Sequence, residues 1–366
     1  MSEFTIALAL AGGLILLGVV AHGAWASRRN KIRQPDPLTP EDAAFAASHL
    51  PSRFSELGDV HPDSILNDDA LPLLGARDDG VIDPPVWVPT QEKRSGADPL
   101  IDSLAVITLE QEVSGEAILA HLHGVRRVGT KPLQFDAQAA ADTPWEYPHA
   151  GGRYHRVQMG VQLANRTGPL TDIEFSEFLV LVQRIADTLG GTAETAEMRP
   201  EILKARELDH FASQHDAQFS MFLSSRKVAW STGFVQQCAM RLGFVPGILP
   251  GRLVLPGSHE GAAPLLALNF DTQAALSNMV DGPGIRKISL SLDLPQVPRA
   301  DQPFLLMRQI AERLSVSMDA VVGDENGIPV PPEILDRIDV DLQTLYDRLE
   351  ERELDAGSPL ARRLFS

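Results

Sequence analysis

The chain has 366 residues, 44% hydrophobic and 22% charged, an ordinary balance for a protein that buries a sizeable core over two or three domains. Its 32 basic against 49 acidic side chains leave −17, which argues against a general nucleic-acid binder, whose affinity rests on Lys and Arg neutralising phosphates. A single cysteine, Cys238, excludes an intrachain disulfide and zinc sites built on cysteine pairs.

The first predicted element is a membrane anchor over residues 1–26. From Phe4 to Ala21 there are 18 residues without a charge, and His22, Gly23, Ala24 and Trp25 carry the run to an aromatic edge. A helix of about 20 such residues spans the roughly 30 Å hydrocarbon core, so residues 4–25 are expected in the bilayer. Only Met1, Ser2 and Glu3 precede the run, while Arg28, Arg29, Lys31 and Arg33 follow it. A secretory signal carries its positive charge in front, so Ala24-Trp25-Ala26 is read as uncleaved. The positive-inside rule then places the N-terminus outside and the rest of the chain in the cytoplasm.

Residues 27–99 are expected to form a basic juxtamembrane segment and then an extended or disordered linker. Ten of the 27 prolines fall there, with Asp68, Asp69, Asp78, Asp79 and Asp83 among them. Proline removes amide donors, and the negative charge opposes collapse.

Beyond residue 100 the periodicities are those of a folded region. Residues 104–111 read as a strand and 115–125 as a helix with Ala117, Ile118, Leu119 and Leu122 on one side. Val157, Met159, Val161 and Leu163 alternate with Gln158, Gly160 and Gln162, the period of a half-buried strand. Thr171-Asp172-Ile173-Glu174 is a capping box that opens a helix running to Leu189 and stopping at Gly190-Gly191.

The same order then recurs. Residues 219–223 read as a strand, 233–242 as a helix, 288–294 as an alternating strand and 304–314 as a helix. At an offset of 125, Ile185, Ala186 and Leu189 meet Ile310, Ala311 and Leu314, and after seven residues of drift Pro200-Glu201-Ile202-Leu203 returns as Pro332-Glu333-Ile334-Leu335. The expected architecture is α+β: two tandem units, 100–212 and 216–366, each an antiparallel sheet with helices on one face. Such a sheet leaves its other face free.

Signals for catalysis are thin. His121 and His123 stand roughly 200° apart around a helix, and His149 and His155 have no acidic or cysteine partner at ligand spacing. Ser231, Ser258 and Ser315 lack the glycine-framed turn that exposes a nucleophile. Gly190-Gly191 and Gly282-Pro283-Gly284 read as turns, without the longer glycine spacing and terminal Lys of a phosphate loop. Cys238 lies on an apolar helix stripe and reads as a buried thiol. Trp145, Tyr147 and Tyr154 read either as cross-strand packing or as a stacking platform for a peptide. The sequence therefore predicts no enzyme, metal, cofactor or small-molecule substrate.

The apolar run followed by Arg28-Arg29-Asn30-Lys31, the Pro- and Asp-rich linker and the C-terminal globular region together resemble the ZipA-like cell-division proteins. The likeness is closest over about residues 216–350, through Ala217 to Leu223, the 233–242 helix ending in Gly243-Phe244, and the 288–295 and 304–314 segments. The tail from Gly357 to Ser366 resembles the ending of divergent members, whereas a tandem arrangement departs from the family's single domain. The resemblance implies a split βαβ domain in the cytoplasm, tethered to the bacterial inner membrane. It also implies FtsZ, held by its C-terminal peptide on the exposed sheet face, and other divisome proteins as partners. With Phe219, Met221 and Leu223 inward, Gln218, Ser220 and Phe222 face out, and so do Ser289, Ser291 and Asp293, where the family is apolar. The candidate groove residues are Phe222, Leu249, Leu253 and Leu255. The alternative is a membrane-tethered scaffold for other division or envelope proteins, without FtsZ binding.

Overall fold

The computed structural model describes residues 96–259, 261–276 and 284–366. The expected anchor, Arg28, Arg29, Lys31 and Arg33, and the linker as far as residue 95 lie outside the described residues. Among those described, no helix is long and apolar enough to cross a membrane.

Alternation builds the first sheet. In β1 (Asp102–Ser114), Ala105, Ile107 and Leu109 are buried on one side. At its end Ser114 caps α1 (Gly115–Leu122), its hydroxyl accepting from the amide of Ala117. Strands β2 (Arg127–Val128), β3 (Lys131–Gln138) and β4 (Arg153–Gln162) follow, then a small ribbon of β5 (Ala164–Asn165) and β6 (Gly168–Pro169). The expected capping box is present. The Thr171 hydroxyl accepts from the Glu174 amide, and the Glu174 carboxylate accepts from the Thr171 amide, opening α2 (Asp172–Leu189). Gly190 ends that helix in the left-handed region, at φ 67°, and the chain turns into β7 (Gly191–Thr195) and α3 (Met198–His215). The order across the sheet is β2-β3-β4-β1-β7, with every pairing antiparallel.

The second sheet repeats this order. Its strands are β8 (Gln218–Ser225), β9 (Val245–Pro246), β10 (Arg252–Leu255), β11 (Leu266–Asn269), β12 (Lys287–Asp293) and β13 (Ala320–Gly323). Helices α4 (Thr232–Met240), α5 (Thr272–Leu276), α6 (Pro303–Met318), α7 (Pro332–Glu350) and α8 (Pro359–Leu364) complete it. The order β10-β11-β12-β8-β13 matches the first sheet strand for strand, with β9 added outside β10. The architecture is α+β with antiparallel sheets.

The register corrects the repeat read from the sequence. Leu189 and Met318 each precede a left-handed cap, Gly190 and Asp319, so they are the equivalent positions. Pairing Leu189 with Leu314 is therefore one helical turn out of step. An amphipathic helix hides such a slip, because positions four apart share a face.

Two further expectations change. Residues 96–98, counted with the linker, lie against the first sheet: the Ala97 amide donates to Asp136 Oδ2 at 2.7 Å and the Asp98 amide to Asp102 Oδ2 at 2.8 Å. In β4, Gln158, Gly160 and Gln162 are buried along with Val157, Met159 and Val161. The face expected to meet solvent is covered.

Candidate partner-binding face

The free face of the second sheet is set by the pairing of β8 with β12. Phe219, Met221 and Leu223 sit opposite Leu292, Leu290 and Ile288 on the helix-covered side. There Phe219 meets Phe304 of α6 edge-on, ring centroids 5.3 Å apart. The other side carries Gln218, Ser220 and Phe222 opposite Asp293, Ser291 and Ser289, in the register expected from the sequence. Asn269 pairs with Ser289 and Arg252 with Asn269, while Val254 pairs with Ala267, so the outer surface runs on through β11 and β10.

The four candidate groove residues separate. Phe222 lies on this outer face, half-buried, with the Lys287 ammonium 4.4 Å from its ring centroid. That ammonium also donates to the carbonyl of Glu325, which holds the Phe222–Lys287 cation–π pair in place. Leu249 is 60% exposed in the turn between β9 and β10, beside a fully exposed Ile248. Leu253 and Leu255 are corrections: they are 2% and 0% exposed and belong to the core. On a strand, alternate residues share a face, so burying Leu253 and Leu255 turns Val254 and Arg252 outward. Val254 is thus the apolar β10 residue on the candidate surface, and the Arg252–Leu255 alternation carried that signal.

The face is mixed in character. Ser291 Oγ donates to the Ala267 carbonyl at 3.2 Å and accepts from Asn269 Nδ2 at 3.3 Å, so the centre is polar and internally bonded. At one end Arg166 grips Asp216 (2.6 and 2.9 Å) and Asp293 (2.7 and 2.8 Å). Burial opposes the guanidinium charge there, but the hydrogen bonds to the two carboxylates outweigh it and raise the arginine's pKa above its usual value. A cleft of about 280 Å³ adjoins this bridge, lined by Asn165, Arg166, Asp209, Asp216, Leu364 and Phe365 among others.

The fold gives two of the histidines acidic partners, one 43 residues away in sequence and one only three residues before it. His155 Nε2 is 3.2 Å from Glu112, and His149 Nε2 is 3.4 Å from Glu146. Each pairs with one carboxylate, and no group of three such side chains able to hold a metal ion occurs among the described residues. The three aromatic residues do not form a platform. Tyr154 is buried, its hydroxyl donating to Glu146 Oε1 at 2.8 Å, and burial pushes its pKa up. Trp145 is half-buried under the Arg156 guanidinium, and Tyr147 alone is well exposed. Cys238 is buried on the inner side of α4. The sequence matches no family model and no curated protein.

Proposed function

We propose that this chain is a membrane-anchored adaptor of the ZipA-like kind, bringing FtsZ to the bacterial inner membrane by holding its C-terminal peptide during septum assembly. The N-terminal apolar run and its basic flank supply the anchor, with the N-terminus periplasmic and the α+β region cytoplasmic. One observation carries the reading: the outer face of the second sheet, opposite its helices, presents an aromatic side chain, Phe222, between β12 and β13. A peptide laid there meets Phe222, Val254 and Leu249 as apolar contacts, which needs no cofactor.

The test is a titration of a labelled FtsZ C-terminal peptide with the full chain in detergent. Phe222→Ala should weaken binding about thirtyfold, the roughly 2 kcal/mol typical of an aromatic anchor, and leave the melting temperature nearly unchanged. Phe219→Ala, which removes the contact with Phe304, should do the reverse and lower the melting temperature. Added salt should change the affinity little, since screening acts on charges.

A second reading, a membrane-tethered scaffold for other division or envelope proteins, is favoured by the polar centre formed by Ser220, Asn269, Ser289 and Ser291. No detectable peptide binding at high micromolar concentration would put that reading first.

A further inference from the structure

The two sheets treat their outer faces differently. On the first, β7, β1, β4 and β3 bring Glu194, Val106, Gln158 and Asp136 into one cross-strand row. The matching row of the second sheet is Gly323, Phe222, Ser289 and Asn269. Asp136 and Gln158 are buried because residues 96–98 lie over them.

The contact has the form of peptide recognition. Asp136 accepts from the amide of Ala97 at 2.7 Å, and Gln158 Nε2 donates to the carbonyl of the same residue at 3.4 Å. The side chains around it read size. A Cβ on Gly160 would stand 2.8 Å from the Ala97 methyl, so a glycine floor makes room for a small side chain. A Cβ on Gly96 would stand 2.6 Å from Asp136 Oδ2, so a larger residue before Ala97 would push aside the carboxylate that accepts from its amide. Asp98 then turns the chain into β1, its carboxylate accepting from the amide of Leu100 at 2.9 Å.

The far end of the chain closes over this segment. Arg363, in α8, donates to the carbonyl of Gly96 at 3.1 Å and to the buried carboxylate of Asp102. The carbonyl of Arg363 in turn accepts from Gln162 Nε2 at 2.9 Å. Asp102, Asp136, Gln158 and Gln162 are all buried polar groups, and each has a partner in this arrangement.

We propose that the outer face of the first sheet is a binding site for an extended peptide with a Gly-small sequence, filled in cis by residues 96–98 and held shut by Arg363. The C-terminal tail and the linker exit are then coupled. Releasing Arg363 loosens the strap, and the vacated surface of Asp136, Gln158 and, two residues along β4, Gly160 accepts the same sequence from another chain. This site is separate from the second-sheet face, and its test does not depend on FtsZ.

The probe is a fluorescent peptide of residues 91–101, titrated by anisotropy against the full chain in detergent. Amide exchange at Ala97 and Asp98 reads the strap directly. Ala97→Leu spoils the strap and leaves the site untouched. It should raise affinity for the probe about tenfold or more, because apparent affinity scales with the fraction of open sites and a tethered competitor acts at high effective concentration. Arg363→Ala should speed strap exchange and raise probe affinity in the same direction. Gly160→Ala added to Ala97→Leu should abolish the gain, with an unchanged melting curve showing that the fold is intact. A folded Ala97→Leu chain that does not bind the probe would overturn the site. Probe binding to the parent as tight as to Ala97→Leu would overturn the occupancy in cis. Strap exchange unaffected by Arg363→Ala in a folded chain would overturn the latch. Strap protection that appears only as the parent dimerises would place a second copy's segment there instead.

Discussion

Replacing Glu174 by Gln should destabilise the first sheet in a way that depends on pH. The carboxylate is buried and accepts four hydrogen bonds: from the Thr130 amide and hydroxyl at 2.8 Å each, and from the Thr171 amide and hydroxyl at 3.0 Å each. Burial alone would raise the carboxyl pKa, but these donors outweigh it and hold it below the usual carboxylate range. Gln keeps the shape and one acceptor, yet its NH2 must then face two donors. A hydrogen bond to a charged group contributes about 1.5–3 kcal/mol, and the hydroxyl can rotate away while the Thr130 amide cannot. Together with a weakened cap, the loss should be about 2–3 kcal/mol at neutral pH, or about 5–10 °C in melting temperature. Because the folded pKa is depressed, the stabilisation is complete above the unfolded value of about 4.3 and is lost as pH falls through the folded pKa. Thermal melts by circular dichroism from pH 7 down to pH 3 should show the gap narrowing as the parent protonates. Equal melting temperatures at pH 7, or a gap that stays constant to the lowest pH, would refute the reasoning.

Trp230→Phe removes the buried indole donor to the Met318 carbonyl (2.8 Å) and should lower the urea midpoint by the equivalent of about 2–3 kcal/mol without changing the slope. Gly190→Ala places a Cβ at φ 67° where no atom lies within 4 Å, so its cost should be purely conformational, about 1 kcal/mol by denaturant titration. Asp319→Gly, at the equivalent cap with φ 52°, should gain a similar amount, since the half-exposed contact of Asp319 with Arg226 at 3.7 Å contributes little.

Much of the α+β architecture was legible along the chain because it is written in short-range chemistry. The capping box at Thr171 and Glu174 joins residues three apart, and the stop at Gly190 needs only a left-handed backbone. The alternation in β8 reports a shared face directly, so Phe219 inward and Phe222 outward followed from neighbours two residues away. Repeated order, rather than repeated residues, marked the second sheet, which is why the helix match could slip by a turn and still point to the same strand order.

What only the tertiary structure decided is which faces are covered and which distant groups meet. Period-two alternation sorts residues into two faces but cannot say that both are buried, and in β4 they are, because residues 96–98 and the Arg363 tail arrive from the two ends of the described chain. The same limit misplaced Leu253 and Leu255: a four-residue alternation is too short to stand out as a strand until its partner Leu266–Asn269 is known. His155 and Glu112, or Arg166 and Asp293, approach only after strand pairing has closed loops of many residues, and no local pattern encodes that closure. Local propensity and periodicity set the elements of this protein, and long-range packing chose which of their surfaces remain open to a partner.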